Sequence, residues 1–458
     1  MFVRFQTKKN TYVFFIERSF ILNKIKRVTA TILVMMMVMM SFAGCGKNEE
    51  EAEQSGNFYN NDIATKSPED MAEDIKDSID NDNNDNSDLP NFGSTQKPEV
   101  PVTTVDMLAV GDNLFHMGIV NSGDNGDGTF NYDHLYKHIS DDITAADIAA
   151  VNQETVFAPE GSKPSGYPRF GAPDEAAQAL VNAGFDVIQQ ASNHTNDRGE
   201  KGILHTIELW KNFKNITVLG IHESEEDYQQ ITVVEKNNIK IAMLNYTYGL
   251  NGFNLASGKE YLVDLLDNEE KVYADIEKAK ELADCVIVYV HWGSEYTHKP
   301  TTYEQEWAQR FADAGVTAVI GAHPHVIQPV EWIEGKNGNQ TLVYYSLGNF
   351  VSRQIEAPRV LGGMAKFTLT KDSDGTRITK ASVVPVVMHF ARYSDKTFTV
   401  YRLDEYTEEL AQAHGIKYFA TQGKFTLEGT KKTAINVFGS DSEAFFEIPG
   451  QEVVDEAA

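Results

Sequence analysis

Two histidines flank a proline in the stretch GAHPHVIQP, Gly321 to Pro329, directly after the apolar run AGVTAVI. His323 and His325 are either polar residues of a turn or two ligands of one metal site at the end of a strand. Other strand ends bear on the choice. Asp112 follows the apolar run TTVDMLAV, Glu154 follows DIAAV, Asn193 and His194 follow DVIQQA, and His291 follows CVIVYV. In parallel α/β sheets, ligands bind at the carboxyl ends of strands. Residues spread from position 112 to 325 would therefore converge on one edge. Two carboxylates, an amide and four imidazoles form a mixed N/O set that suits Zn²⁺, Mn²⁺ or Fe. A pair of such ions about 3.5–4 Å apart can activate a water and stabilise an in-line phosphoryl displacement. One strand-end histidine is usually structural, but this ordered series points to a shared site for one or two divalent transition metal ions.

The elements that must position these residues alternate. DEAAQALVNAG, GEKGILHTIELWKNF, NEEKVYADIEKAKELA and TYEQEWAQRFADAG have helical spacing, and each precedes a short apolar run that reads as a strand. QQITVVEKNNIKIAMLNYTY reads as a hairpin around KNN, and AKFTLTKDSDGTRITKASVVPVV as a hairpin with Asp-Gly at its turn. YRLDEYTEELAQAHG reads as helix, and SDSEAFFEIPGQEVVDEAA as an extended tail. Strands alternating with helices imply an α/β fold built on parallel pairs, with antiparallel additions late in the chain.

The formal charge is −27 over 458 residues. The first 45 residues hold seven Lys/Arg and one acid, so the remainder is more acidic still. That field repels nucleic acid at long range and makes an anionic substrate depend on local positive charge. Lys24, Lys26 and Arg27 precede the uncharged VTATILVMMMVMMSFAG, which is short for a membrane span and ends in small residues, as a secretory signal does. The next residue, Cys45, completes FAGC, which resembles a bacterial lipobox with Phe42 where Leu is usual. The expectation is an exported protein, lipid-anchored through Cys45 to the outer face of the bacterial cell membrane. Two acyl chains would hold it at about 0.8 kcal/mol per buried CH₂. The second cysteine, Cys285, lies in an apolar run and reads as an inert core thiol.

Six blocks, VGDNLFH, VNQET, SNHTNDRGEKGI, HWGSEY, GAHPHVIQPVEW and YYSLGNFV, occur in this order from about Thr104 to Val351. Together they resemble the CapA family of poly-γ-glutamate capsule biosynthesis proteins. The resemblance implies the calcineurin-like metallophosphoesterase fold, an α/β sandwich of two mixed β-sheets flanked by helices. It further implies that Asp112, Glu154, Asn193, His291, His323 and His325 bind metal. His194 would stabilise the transition state or protonate the leaving group. The phosphoesterase pattern Asp-x-His has Leu114 where its histidine would stand, and His116 lies two residues later. Asp197, Glu295, Gln328 and Asn349 are candidates for orienting ligands, shaping the site or touching substrate. Arg169 and Arg198 are the nearest positive charges for an anionic substrate.

The expected organisation is a lipoprotein signal over 1–45, an acidic and polar linker too poor in apolar residues to order itself over 46–102, a metallophosphoesterase-like domain over 103–355, and a C-terminal extension over 356–458. The resemblance implies a role in capsule or envelope polymer metabolism. The substrate would be an anionic polymer or a phosphoester, and membrane subunits of a polymer synthase would be partners. Two further functions stay open from sequence. One is a non-catalytic factor that binds or exports polymer on the same fold. The other is an extracellular phosphoesterase of nucleotides or phospho-sugars.

Overall fold

The computed structural model describes residues 3–7, 10–14, 101–391, 397–418 and 425–450. Cys45, the apolar stretch before it, nearly all of the linker and the last eight residues lie outside the described residues. The chain divides into two units, Met1–Gly93 and Ser94–Ala458. In the first, β1 (Val3–Thr7) pairs antiparallel with β2 (Asn10–Phe14). Among the described residues no helix is long and apolar enough to cross a membrane.

The second unit opens with β3 (Thr103–Asn113), β4 (Ile148–Asn152), β5 (Val187–Gln189) and β6 (Thr217–Leu219). These four run parallel in one sheet. Next come β7 (Thr232–Lys236), β8 (Ile239–Thr247), β9 (Cys285–His291), β10 (Ala318–Ala322), β11 (Val330–Glu334) and β12 (Gln340–Tyr344). They form a second sheet in the order β11-β12-β10-β9-β8-β7, parallel from β8 through β12 and antiparallel at both edges. The chain then returns to the first sheet with β13 (Asn349–Val351), β14 (Leu361–Asp372), β15 (Gly375–His389), β16 (Thr399–Arg402) and β17 (Ala444–Phe445). That sheet runs β16-β15-β14-β3-β4-β5-β6, with β13 on β3 and β17 on β15. The fold class is therefore the expected one, two mixed sheets flanked by helices.

Strand periodicity explains the layering. In β8 and β9, Ile241, Met243, Ile287 and Tyr289 join one core together with Met107, Ala109 and Val151 of the first sheet. The intervening Ala242, Leu244, Val286 and Val288 face the other way. There they meet Ile276 and Ala279 of one helix and Trp307 and Phe311 of another. With both faces of the second sheet covered, β9 and β10 are near-continuous apolar runs up to the strand-end His291.

The four helices read from spacing form as α1 (Glu175–Ala183), α2 (Gly199–Trp210), α3 (Glu269–Leu282) and α4 (Thr302–Ala314). At the start of α4, Thr301 and Glu304 make a reciprocal capping box. The hairpin at KNN turns through Asn237 and Asn238, both at positive φ (48° and 63°), where asparagine is favoured.

Four features depart from the sequence reading. β11 has no clean alternation and forms because it pairs with β12. Within YRLDEYTEELAQAHG the first residues belong to β16, and only Glu408–Ala413 is helical. A further helix, α5 (Leu427–Phe438), precedes the tail, and the tail itself contributes β17. Finally, β14 lies directly against β3, Val110 opposite Met364. Strands β14 to β17 thus complete the sheet whose strand β3 carries Asp112.

Cys285 is buried, with its thiol pushed up to about 12 by that burial. It is the inert core residue expected.

Candidate metal centre

The stretch that raised the first question leaves β10 and turns sharply. His323 and His325 both sit at positive φ, 98° and 58°. For non-glycine residues such conformations cost about 1–3 kcal/mol each and cluster at functional sites. The opposing strand is brought in equally closely. A Cβ on Gly111 would lie 1.9 Å from the Gly348 carbonyl oxygen. Only glycine lets β3 meet the second turn, at Leu347–Gly348, and place the Asp112 N–H on that carbonyl at 2.9 Å.

From these two turns a network closes across the gap between the sheets. Asp112 Oδ1 accepts from Asn152 Nδ2 at 2.8 Å and from the His323 N–H at 3.2 Å. Its Oδ2 lies 2.9 Å from His325 Nδ1, which is also 3.1 Å from Asn349 Oδ1. Asn349 Nδ2 donates to the carbonyls of His325 and Arg359, which holds its Oδ1 toward the imidazole. With two acceptors at Nδ1, the His325 atom left for a ligand is Nε2. That atom is 3.8 Å from Glu154 Oε1 and 4.0 Å from Glu295.

His291 Nε2 lies 3.7 Å from the same Glu154 oxygen and 3.0 Å from Asn193 Oδ1. Asn193 Nδ2 donates to Asn251 at 3.2 Å, which leaves Oδ1 facing the histidines. Glu154, His291 and His323 offer ligand atoms within 4.8 Å of one another. So do Asp112, Glu154 and His325, and so do Glu295, His323 and His325. Glu154, His323 and His325 each belong to two of these groups, so the cluster is one centre.

The polar atoms at its middle have no partners. Both carboxylate oxygens of Glu154 and Nδ1 of His323 are buried without a hydrogen bond. An unsatisfied buried polar group costs about 1–3 kcal/mol, more for a charged one. Electrostatics without an ion is correspondingly tense. Burial, with the Asp112 and Glu295 charges beside it, drives the Glu154 carboxyl well above the usual range. Burial and the neighbouring imidazoles hold His291 and His323 well below 6.5. Burial opposes charge on His325 too, but Glu154 and Asp112 outweigh it and raise it to about 9. A divalent cation would relieve all of these at once, so the donor set fits such an ion.

His194 stands at the margin of the centre. Its Nδ1 is 2.7 Å from Asp197 Oδ2, and its Nε2 is 3.9 Å from Glu154. Asp197 therefore sets the direction of the imidazole rather than merely shaping the start of α2. His116 is not among the clustered donors. Its ring packs edge-on against Phe170, whose ring separately packs edge-on against His194. Burial pushes His116 down to about 3, and its Nδ1 accepts from the Arg353 N–H at 3.3 Å. Leu114 is buried and brings no donor.

Gln328 is fully buried and donates to the Thr297 carbonyl, bracing the loop after Glu295. Trp292 is core, with its indole N–H on the Tyr345 carbonyl. Tyr296 lies at the mouth, stacked 6.0 Å from His325, with Arg359 over its ring. Ser346 accepts from the Gly348 N–H and supports the turn beneath the site.

Three contributors were not singled out from sequence. Asn152 joins Asp112 to the His291 ring, 3.3 Å from its Nδ1. Asn251, at positive φ, reaches both Asn193 and His194. Tyr248 packs its ring 4.7 Å from that of His323. Asn152 stands inside the quoted block VNQET, where its position at a strand end was the available signal. Asn251 and Tyr248 lie in a loop with no such mark.

The family model described as bacterial capsule synthesis protein PGA_cap matches residues 106–354. The capsule biosynthesis protein CapA of Bacillus anthracis is 32% identical over 232 residues, 48% of this chain and 54% of that protein. The PGA biosynthesis protein CapA of Bacillus subtilis (strain 168) is 28% identical over 255 residues, 56% of this chain and 64% of that protein. The matches thus span little more than half to just under two thirds of these relatives. Among solved structures, the NAD nucleotidase of Haemophilus influenzae superposes with a TM-score of 0.39 at 14% identity, covering 62% of this chain and 50% of that one.

Proposed function

The chain belongs to the bacterial capsule synthesis protein family PGA_cap, and from that premise we propose that it acts in the biosynthesis of an anionic envelope polymer, poly-γ-glutamate, through a metal-dependent hydrolytic or transfer step. The observation that carries the metal part is the buried Glu154 carboxyl group, without a hydrogen bond and ringed by Nε2 of His194, His291 and His325 at 3.7–3.9 Å. Glu154, His291, His323, His325 and Asn193 would hold Mn²⁺, Zn²⁺ or Fe. When bound, such an ion supplies Lewis-acid polarisation of the bond under attack.

The chain's own groups do the rest. Asp112 and Asn349 fix the His325 ring so that Nε2 faces the centre. Asp197 fixes the His194 ring so that Nε2 can deliver a proton to the leaving group. Leu114 removes one donor from a second ion position, which supports one ion being held more tightly than the other. The same residue favours a second reading, a polymer-binding factor without turnover, and activity of a His194 variant separates the two.

Anchoring through an acylated Cys45 at the outer face of the membrane is part of this proposal. So is contact with the membrane subunits of a polymer synthase. The test has two arms. Protein purified without chelators and incubated with Mn²⁺ or Zn²⁺ is expected to hold stoichiometric metal by elemental analysis. A folded protein that takes up neither ion refutes the metal-dependent step. Cys45→Ala is expected to leave the membrane fraction or to stall in processing, and unchanged fractionation and migration refute the anchor.

A further inference from the structure

One short turn touches four residues at the metal centre. It follows β8 and runs from Tyr248 to Asn251. The Tyr248 N–H donates to the His291 carbonyl at 2.9 Å, and its ring lies 4.7 Å from that of His323. At the other end, Asn251 Oδ1 accepts from Asn193 Nδ2 at 3.2 Å, and Asn251 Nδ2 stands 3.3 Å from His194 Nδ1. That imidazole nitrogen has one proton to give, and Asp197 Oδ2 takes it at 2.7 Å. The hydrogen bond that Asn251 makes in full is therefore the one to Asn193.

The turn is built to stay in place. Its Leu250 is buried in a small core of its own with Ala191, Ile203, Ile221, Leu262 and Val263, and Ala191 stands two residues before Asn193. Beyond Asn251, Arg169 lies over the Phe253 ring with its Cζ 4.6 Å from the centroid. Asn251 itself is exposed and sits at φ 51°, in the left-handed region that asparagine tolerates better than most residues. Its side chain contributes little to the core, yet it turns inward onto Asn193, which is 2% exposed.

A carboxamide presents an oxygen at one end and an NH₂ at the other, and only the oxygen has a lone pair for an ion. Asn193 Oδ1 faces His291 Nε2 at 3.0 Å, but that nitrogen cannot both donate to Oδ1 and bind an ion. With an ion bound, the hydrogen bond from Asn193 Nδ2 to Asn251 still holds Oδ1 inward. We propose that the Tyr248–Asn251 turn is a clamp on the ligand set, and that Asn251, by fixing the Asn193 amide, sets how far Mn²⁺ competes with Zn²⁺ for the centre. This rests on the metal-dependent function proposed above. Carbonyl oxygens suit Mn²⁺, whereas imidazoles suit Zn²⁺. An amide freed from Asn251 can turn its NH₂ toward the ion, which removes an oxygen donor and leaves the imidazoles. Asn251 is thus a positioning residue that acts through Asn193.

The test uses the full chain, stripped of metal and titrated with Mn²⁺ and with Zn²⁺. Asn251→Gly removes the side chain and suits the positive φ. It is expected to weaken Mn²⁺ about 10–100-fold and Zn²⁺ distinctly less, with the thermal midpoint of the metal-free protein unchanged. Asn251→Asp keeps the acceptor and adds a charge that attracts both ions, so it is expected to restore the wild-type ratio of the two affinities. In an Asn193→Ala background, Asn251→Gly is expected to change neither affinity. Orientation is read separately, from the side-chain amide signals of Asn193 in NMR spectra of the metal-free protein, which Asn251→Gly is expected to shift and Asn251→Asp to restore. The proposal is overturned if Asn251→Gly binds Mn²⁺ as wild type does, if it weakens both ions equally, or if its effect persists without the Asn193 amide. Asn193 signals that respond to Asn251 in a protein that takes up neither ion keep the clamp and sink the metal reading. Uptake of both ions with affinities indifferent to Asn251 does the reverse.

Discussion

His291, His323 and His325 at the strand ends and His389 and His414 near the end of β15 are all buried. Their electrostatics is also partly alike. Burial pushes His389 down to about 4, as it drives His291 and His323 down. The difference lies in what the nitrogens do. His414 Nε2 donates to the Met388 carbonyl at 3.0 Å, and its Nδ1 accepts from the Ile416 N–H at 3.1 Å. His389 Nδ1 meets the Tyr406 hydroxyl at 2.6 Å. In the other group, His323 Nδ1 and both oxygens of Glu154 make no hydrogen bond, the nearest imidazole nitrogens standing 3.7–3.9 Å from Glu154 Oε1, and two backbones are held at positive φ. Burial and a depressed pKa therefore do not mark a ligand. Unpaired lone pairs that converge, held by strained backbone, do.

The hardest test of that contrast removes ligands. Replacing both His323 and His325 with Ala is expected to abolish stoichiometric metal by elemental analysis, and activity with it. A double variant that retains metal would put these histidines in the same class as His414. His194→Ala comes next. It is expected to keep the fold and most of the metal while losing about 10²–10⁴-fold in rate, measured on a generic phosphodiester or by restoration of capsule in a deletion strain. Full function in His194→Ala, with His325→Ala inactive, would leave a metal-stabilised binding role.

Asn152→Ala sharpens the contrast by touching a residue that only orients. Loss of such a partner typically costs about 10–100-fold in metal affinity, which titration of the metal-free protein would read. Affinity equal to wild type would remove Asn152 from the network.

The smallest effect is expected at the closed cluster. His389→Gln is expected to cost about 1 kcal/mol near neutral pH through the weakened Tyr406 bond, with metal content unchanged. Its sign with pH is also set. The folded pKa of His389, about 4, lies below the unfolded value, about 6.5. Between these values the unfolded chain binds the extra proton, so the stability contributed is full above 6.5 and lost as pH falls toward 4. Urea denaturation across that window should show a shallower pH slope in the variant, and an unchanged slope would contradict the assignment.

Short-range signals made much of this molecule legible in its sequence. Apolar runs that end at polar residues, helical spacing and the hairpin at KNN depend on residues a few positions apart. They identify the strands and helices, and with them the polar residues at strand ends that do converge. Asp112, Glu154, Asn193, His291, His323 and His325 all lie at one centre. Pairing over long separations was not legible. The bond from Asp112 to His325 spans 213 positions, and no local pattern shows that this carboxylate aims the imidazole while Glu154 stays unpaired. The same holds for β14 against β3, for Asn251 beneath Asn193, and for Arg169 on Phe253. In each case the partner comes from a distant segment that only the folded chain brings alongside. Residue type and element are local properties of the chain, but which lone pair is left free is decided only when distant strands meet.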